Sequence, residues 1–215
     1  HGQDSIFHPR ARFKYSSSGD SIQNMIIRKD KGGMKHTPYS SSFFNIDFAT
    51  DVIRWDFAAD SMNLSIDGAR NTVPLVIESV DYYDEEDYRL LRGHGFKFHP
   101  VALIANYCLR NNVREFYSGD ISLSTGIETR DIKAAIEFLS EKGLLFYDVK
   151  TDRVTVKNKL ILLYQGARGE SDYDNLKILS VIDSAANATI NYKDGYMTVR
   201  GVDEFKVSDS LNVRI

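Results

Sequence analysis

Between residues 5 and 80 apolar and polar positions alternate with a period of two. Residues 11–15 (ARFKY), 22–28 (IQNMIIR), 43–48 (FFNIDF), 51–57 (DVIRWDF) and 62–66 (MNLSI) all follow it. Half-buried strands show this pattern because successive side chains leave opposite faces of a sheet. Residues 16–20 (SSSGD), 30–33 (DKGG) and 67–68 (DG) lie between these runs. They concentrate residue types that accept turn dihedrals, so an antiparallel meander is predicted. Residues 81–95 (DYYDEEDYRLLRGHG) break the alternation and read as a charged, aromatic linker.

From residue 96 the period changes to that of helices. Pro100 suits a first helical position. Val101, Ile104 and Cys108, with Leu103 and Tyr107, make an amphipathic stripe ending near Asn111 and Asn112. Ser118, Gly119 and Asp120 open a short second helix through Ser124 and Thr125, and Gly126 supplies the turn after it. Thr129 is a candidate N-cap for a third helix carrying Ile132, Ala135, Ile136 and Leu139 on one stripe and closing at Lys142 and Gly143. Residues 144–147 and 153–156, joined by a polar turn at 148–152, read as a hairpin. Strands return at 188–192 and 196–199 around a Lys193-Asp194-Gly195 turn, then at 205–207 and 211–215. Residues 60–66 and 209–215 share the pattern D-S-[ML]-N-[LV]-x-I, and Asp20, Ser21 and Ile22 begin a partial third copy. Short repeats on strands suggest stacked β units that bury their faces against neighbours. The final residues still read as strand, as expected of a chain cut from something longer.

Composition bounds the functional classes. The 215 residues are 42% hydrophobic and 27% charged, with aromatics at 12%. That is enough apolar material for a packed core and argues against whole-chain disorder. A net charge of -3 gives no bulk attraction to polyanions. One cysteine rules out an internal disulfide and any all-cysteine metal site. No apolar run approaches the roughly 18 residues of a membrane helix, and the N-terminal residues show no apolar signal core.

Candidate chemistry is sparse. Asp81, Asp84, Glu85, Glu86 and Asp87, with His94 and His99 nearby, form the one stretch where a metal comes into question. Their spacing matches neither a calcium loop nor a His-Glu-x-x-His helix, so a solvated linker is expected. His8 and His36 stand alone beside turns, and Cys108 falls on an apolar stripe where a thiol packs as a small hydrophobe. No nucleophile elbow, P-loop or dinucleotide fingerprint occurs, and residues 92–95 (RGHG) are too short to cradle phosphate. Trp55, Tyr82, Tyr83 and Tyr88 are read as packing first and protein contact second. The expectation is no catalytic residue, no metal, no cofactor and no enzymatic activity.

Residues 123–145 (LSTGIETRDIKAAIEFLSEKGLL) resemble the winged-helix family: a small helix, a Gly-Ile turn, a recognition helix and an L-x-x-x-G-L run into the wing. The resemblance covers residues 96–165. It implies that the third helix enters a DNA groove, placing Thr129, Arg130, Lys133 and Lys142 at the nucleic acid, with Lys150 and Arg153 on the wing. The charges argue against this role. Residues 128–142 carry four acidic and three basic side chains, and 96–165 hold ten basic against eight acidic, a net of +2. DNA binding is therefore placed behind use of the unit for packing or protein contact. Residues 7–13 (FHPRARF), 27–34 (IRKDKGGM), 187–190 (NATI), 198–203 (TVRGVD) and 210–213 (SLNV) resemble very large uncharacterised proteins of Bacteroidetes. There a winged-helix-like insert sits between β-rich segments of a long, exported chain. The implied partners are flanking β repeats of the same longer chain or another envelope protein. The implied location is the cell envelope or periplasm, with the cytoplasm as the alternative.

The expected fold class is thus α+β: antiparallel β regions at 5–80 and 166–215, a linker at 81–95 and a central three-helix winged-helix-like unit at 96–165. The C-terminal β segment is a candidate partner for the first region. The expected function is a non-catalytic structural or protein-interaction segment, with a DNA-binding module second and an enzyme third.

Overall fold

The computed structural model describes residues 4–19, 21–30, 37–68, 72–92, 95–173 and 176–203. The chain divides into two units, residues 1–79 with 176–215, and residues 80–175.

The first unit contains β1 (Ile6–Phe7), β2 (Ala11–Ser18), β3 (Ser21–Lys29), β4 (Tyr39–Ser41), β5 (Ile46–Ala49), β6 (Val52–Asp56), β7 (Ser61–Ser65) and β8 (Leu75–Ser79). The second unit follows with α1 (Glu85–Leu90), α2 (Pro100–Asn111), β9 (Glu115–Tyr117), α3 (Ser118–Thr125), α4 (Thr129–Glu141), β10 (Leu145–Asp148), β11 (Arg153–Val156) and α5 (Asn158–Gly166). The chain then returns to the first unit as β12 (Lys177–Ser180), β13 (Ala188–Asn191) and β14 (Tyr196–Val199). Because β8 and β12 pair directly, the second unit leaves and re-enters at neighbouring strands of one sheet, where the Ser79 N–H donates to the Leu176 carbonyl.

Two antiparallel sheets make the first unit, in the orders β1-β4-β5-β8-β12 and β14-β13-β7-β6-β3-β2. Register explains the core. Across the larger sheet Val199, Ala188, Leu64, Ile53, Ile27 and Phe13 line up in one row, and Met197, Ile190, Met62, Trp55, Met25 and Tyr15 in the next. Across the smaller sheet Tyr39, Phe48, Ile77 and Ile178 share a row. These rows meet in a single core in which Phe48, Ile53, Leu64, Ile77 and Ala188 are completely buried. Asn187 joins the sheets: its Nδ2 donates to the Ser180 carbonyl at 3.0 Å and its Oδ1 accepts the Ile66 N–H at 3.2 Å.

Three hairpins of this unit share one turn. Pairs Ser41 with Ile46, Asp56 with Ser61 and Asn191 with Tyr196 each enclose four residues. The last of the four has positive φ, at Asn45 (52°), Asp60 (51°) and Gly195 (72°). The side chain before each loop caps it: Ser41 Oγ accepts from Phe43 N–H, Asp56 Oδ1 from Ala58 and Ala59, and Asn191 Oδ1 from Lys193 and Asp194. Short polar side chains that bond the backbone two residues on, followed by a residue tolerant of the left-handed region, dictate this shape.

The second unit has its own core of Val101, Ile104, Cys108, Ile121, Ile132, Ile136, Leu139, Leu145, Val154 and Leu160 with neighbours. Its sheet runs β10-β11-β9. The β10–β11 loop repeats the same turn, with Asp148 Oδ1 accepting from Lys150 N–H and Asp152 at φ 58°.

The expected α+β frame, strand regions flanking a three-helix unit, is corrected. The described residues form fourteen strands in three antiparallel sheets, with five helices making up 26%. The middle is a mixed unit with its own sheet and all five helices, and strands from both ends of the chain lie in the same sheets. Two helices were hidden for different reasons. Residues 85–90, read as linker, are helical because Asp84 caps them by accepting the Asp87 N–H, with three acidic residues in the first turn. In α5 the run LILLY is continuously apolar, so it shows no stripe. Residues 43–45, read as strand, form the turn before β5. The expected strands at 205–207 and 211–215, the repeat copies at Asp20 and 209–215, the Asp30 to Gly33 turn beyond its first residue, His36 and His94 lie outside the described residues.

Candidate nucleic-acid interface

Helix α4 buries Ile132, Ala135, Ile136 and Leu139, which fixes its other side toward solvent. Thr129, read as the N-cap, is the first helical residue, and Glu128 precedes it as N-cap. The Thr129 hydroxyl donates to Ser122 Oγ at 3.1 Å, fastening α4 to α3. Four of the five candidate cations, Arg130, Lys133, Lys142 and Arg153, find partners inside the unit. Lys133 Nζ lies 3.3 Å from Asp152 Oδ1 and Arg130 Nε lies 3.7 Å from Asp131 Oδ1. Arg153 is ion-paired with Glu115 across the β11–β9 ladder. Lys142 sits over the Phe138 ring, 5.8 Å from its centroid.

Asp152 is the organising group, and its role was not visible in the sequence. Its Oδ2 accepts the Ser118 hydroxyl at 2.6 Å, and its Oδ1 accepts the Tyr147 hydroxyl at 2.8 Å and faces Lys133. One carboxylate thus ties the start of α3, the hairpin and α4 together. Partial burial alone would raise its pKa. The hydrogen bonds from Ser118, Tyr147 and Lys133, with the lysine charge, outweigh burial and hold the carboxyl below its ordinary value. Glu115 is lowered chiefly by its hydrogen bond from Arg153, and Arg153 is raised by the same bond. The available signal was a turn ending in aspartate, but its partners Ser118 and Lys133 come from other elements.

Lys133 and Arg153 are thus charge-compensated. Groove binding to DNA draws affinity from cations that replace counterions at phosphates. A lysine and an arginine already held by carboxylates must first surrender those partners.

The other singled-out residues are placed in packing. Cys108 is buried in α2, and burial pushes its thiol up to about 11. Tyr88 stacks on His99 with centroids 4.2 Å apart, and His99 Nε2 lies 3.1 Å from the Tyr88 carbonyl. Tyr83 packs edge-on against Tyr173, while the Tyr82 hydroxyl faces Asp87 at 3.4 Å. Trp55 stacks on Phe57, 4.9 Å between centroids. His8 Nδ1 accepts the Arg10 N–H and its Nε2 meets the Thr37 carbonyl at 3.1 Å, which defines a neutral ring protonated at Nε2. Among the described residues no group of three or more His, Cys, Asp or Glu side chains is placed to hold a metal ion. Among them, too, no helix is long and apolar enough to cross a membrane. No protein-family model matches the chain, and no curated protein or solved structure matches it.

Proposed function

We propose that this chain is a non-catalytic structural or protein-interaction segment of a larger, repeat-built cell-envelope protein. The observation that carries the reading is the larger sheet of the first unit, whose apolar rows run past the buried core into the exposed side chains of β2. A surface built this way meets another polypeptide rather than a small substrate. The partners in this reading are neighbouring β segments of the same chain or of another envelope protein. Cross-linking with mass spectrometry on the full-length protein in intact cells tests it. Cross-links from β2 or β14 to other β segments, in envelope fractions, are expected. A freely soluble protein with no inter-segment cross-links would sink the reading.

A second reading, a DNA-binding module of regulator type, is favoured by one observation. The order α2, β9, α3, α4, β10, β11, with β9 paired to β11, follows the order of winged-helix modules. Duplex titration by anisotropy at low and near-physiological salt separates the two. Compensated cations predict weak binding at low salt. Tight binding with a steep salt slope, lost in Arg130→Ala and Lys133→Ala, would put this reading first.

A further inference from the structure

Strand β2 is the most open edge of either sheet in the first unit. It ends the six-stranded sheet, has no further neighbour among the described residues, and all eight of its residues are exposed. The other edges are shorter or covered. β1 has two residues and β14 has four, while the end of β12 is met by Gly201, whose carbonyl accepts the Val181 N–H.

The unpaired backbone groups can be assigned. The Asp30 N–H donates to the Arg10 carbonyl, so the pair at 10 and 30 is a hydrogen-bonded one. Alternation along an antiparallel ladder then makes pairs 12 with 28 and 14 with 26 the bonded ones. The N–H and C=O groups of Ala11, Phe13 and Tyr15 therefore point away from β3 into the open edge. The register stays regular here, since the shift in the ladder comes only between Ser16 and Ser17.

The two faces of this edge differ in chemistry. Phe13 and Tyr15, 65% and 60% exposed, prolong the two apolar rows of the core face. Arg12 and Lys14 lie on the opposite face. Arg10 and Arg12 share one carboxylate, Asp30, at 3.0 and 2.8 Å. Lys14 has no ion-pair partner among the described residues, so the edge carries uncompensated positive charge. A second copy pairing antiparallel through β2 would bring these cations face to face, which is unfavourable.

We propose that β2 accepts an extended partner strand whose side chains alternate apolar and acidic, adding a seventh strand to the sheet. Its main chain bonds Ala11, Phe13 and Tyr15. Its apolar side chains continue the rows ending at Phe13 and Tyr15, and its carboxylates face Arg12 and Lys14. This deepens the protein-interaction reading and rests on it by naming where the partner strand sits and what chemistry it carries.

The test uses the full chain, 15N-labelled, titrated with a peptide of about ten residues alternating glutamate and valine, and with its lysine–valine counterpart. Expected are amide shifts and slowed hydrogen exchange at Ala11, Phe13 and Tyr15 with the acidic peptide only. Arg12→Glu with Lys14→Glu should weaken it roughly tenfold and admit the lysine peptide. Tyr15→Pro removes one outward N–H without touching the β2–β3 bonds, so it should abolish binding while the unfolding midpoint stays near wild type. The charge-reversed variant keeps the test decisive if the proline variant unfolds. Equal binding of both peptides, or of neither at millimolar concentration, overturns the proposal. So does protection of these amides in the free monomer, or their protection by concentration-dependent self-association. The in-cell cross-linking pattern is scored separately, so loss of this strand site leaves the broader reading standing or falling on its own result.

Discussion

Gly201 has φ 62°, and a Cβ built on it would lie 2.1 Å from the Val181 carbonyl oxygen. Its own carbonyl accepts the Val181 N–H at 2.8 Å, so backbone meets backbone with no flexible side chain able to move away. Gly201→Ala combines a left-handed backbone with a backbone clash and should cost more than about 2 kcal/mol, read from urea unfolding followed by Trp55 fluorescence. His8 gives a pH signature. Burial, then the Lys29 charge, lower its pKa from 6.5 to about 4. The unfolded chain therefore takes up a proton near 6.5 that the folded chain refuses until about 4. Stability from this group is full above 6.5 and is lost as pH falls toward 4, on the order of 2 kcal/mol. Thermal midpoints across this window should fall in the wild type and much less in His8→Gln. Lys29, lowered by burial from 10.5 to about 8, acts in a separate alkaline window. The sequence shows His8 and Gly201 as residue types, but the groups that make them matter, Lys29 and Val181, are distant in the chain.

Among the elements, the turns at Asp148 to Asp152 and Lys193 to Gly195 were legible because their instructions are local, whereas residues 43–45 were read as strand and the turn at 57–60 went unmarked between two strands. A short polar residue, three others and then Asn, Asp or Gly recur at Ser41 to Asn45, Asp56 to Asp60, Asp148 to Asp152 and Asn191 to Gly195. Asp60→Gly relieves the left-handed backbone and should stabilise by about 0.5 to 1 kcal/mol. Asp56→Ala strips two N–H groups of their acceptor and should destabilise by about 1 kcal/mol. Both changes are measured as shifts of the same urea midpoint, and the reverse order of the two variants would contradict the turn assignment. Helix α4 was equally plain, since Ile132, Ala135, Ile136 and Leu139 keep a 3.6-residue rhythm between solvated residues. By contrast α1 owes its existence to the Asp84 cap in a charged segment, and α5 hides its period inside a uniformly apolar run. The four-residue β12 and three-residue β4 and β9 carry too few alternations to register as strands; pairing with β8, β5 and β11 makes them so.

For the whole molecule, the two cores have no residue in common. The only tryptophan, Trp55, lies in the first unit, and among the described residues all the helices lie in the second. Fluorescence and far-ultraviolet helix signal therefore report different units. Leu139→Ala opens a cavity worth about 2 to 5 kcal/mol in the second core. It should lower the helix transition and leave the Trp55 transition in place; coincident shifts of both would show one cooperative unit instead. The candidate DNA face belongs to this scale as well. Thr129, Arg130, Lys133 and Arg153 were readable as a basic group on a helix and hairpin, but the carboxylates that hold Lys133 and Arg153 come from other elements. Alternation, turn residues and helical rhythm act over a few positions, so they suffice to read the β10–β11 and β13–β14 turns, helices α2, α3 and α4 and the apolar face of the longer strands. The C-terminal β segment was expected as a candidate partner of the first region, but the strand order, the choice of β7 as the neighbour of β13, the charge compensation around Asp152 and the open edge at β2 emerge only in the folded chain. They depend on which distant groups finally meet, and local preference carries no information about that.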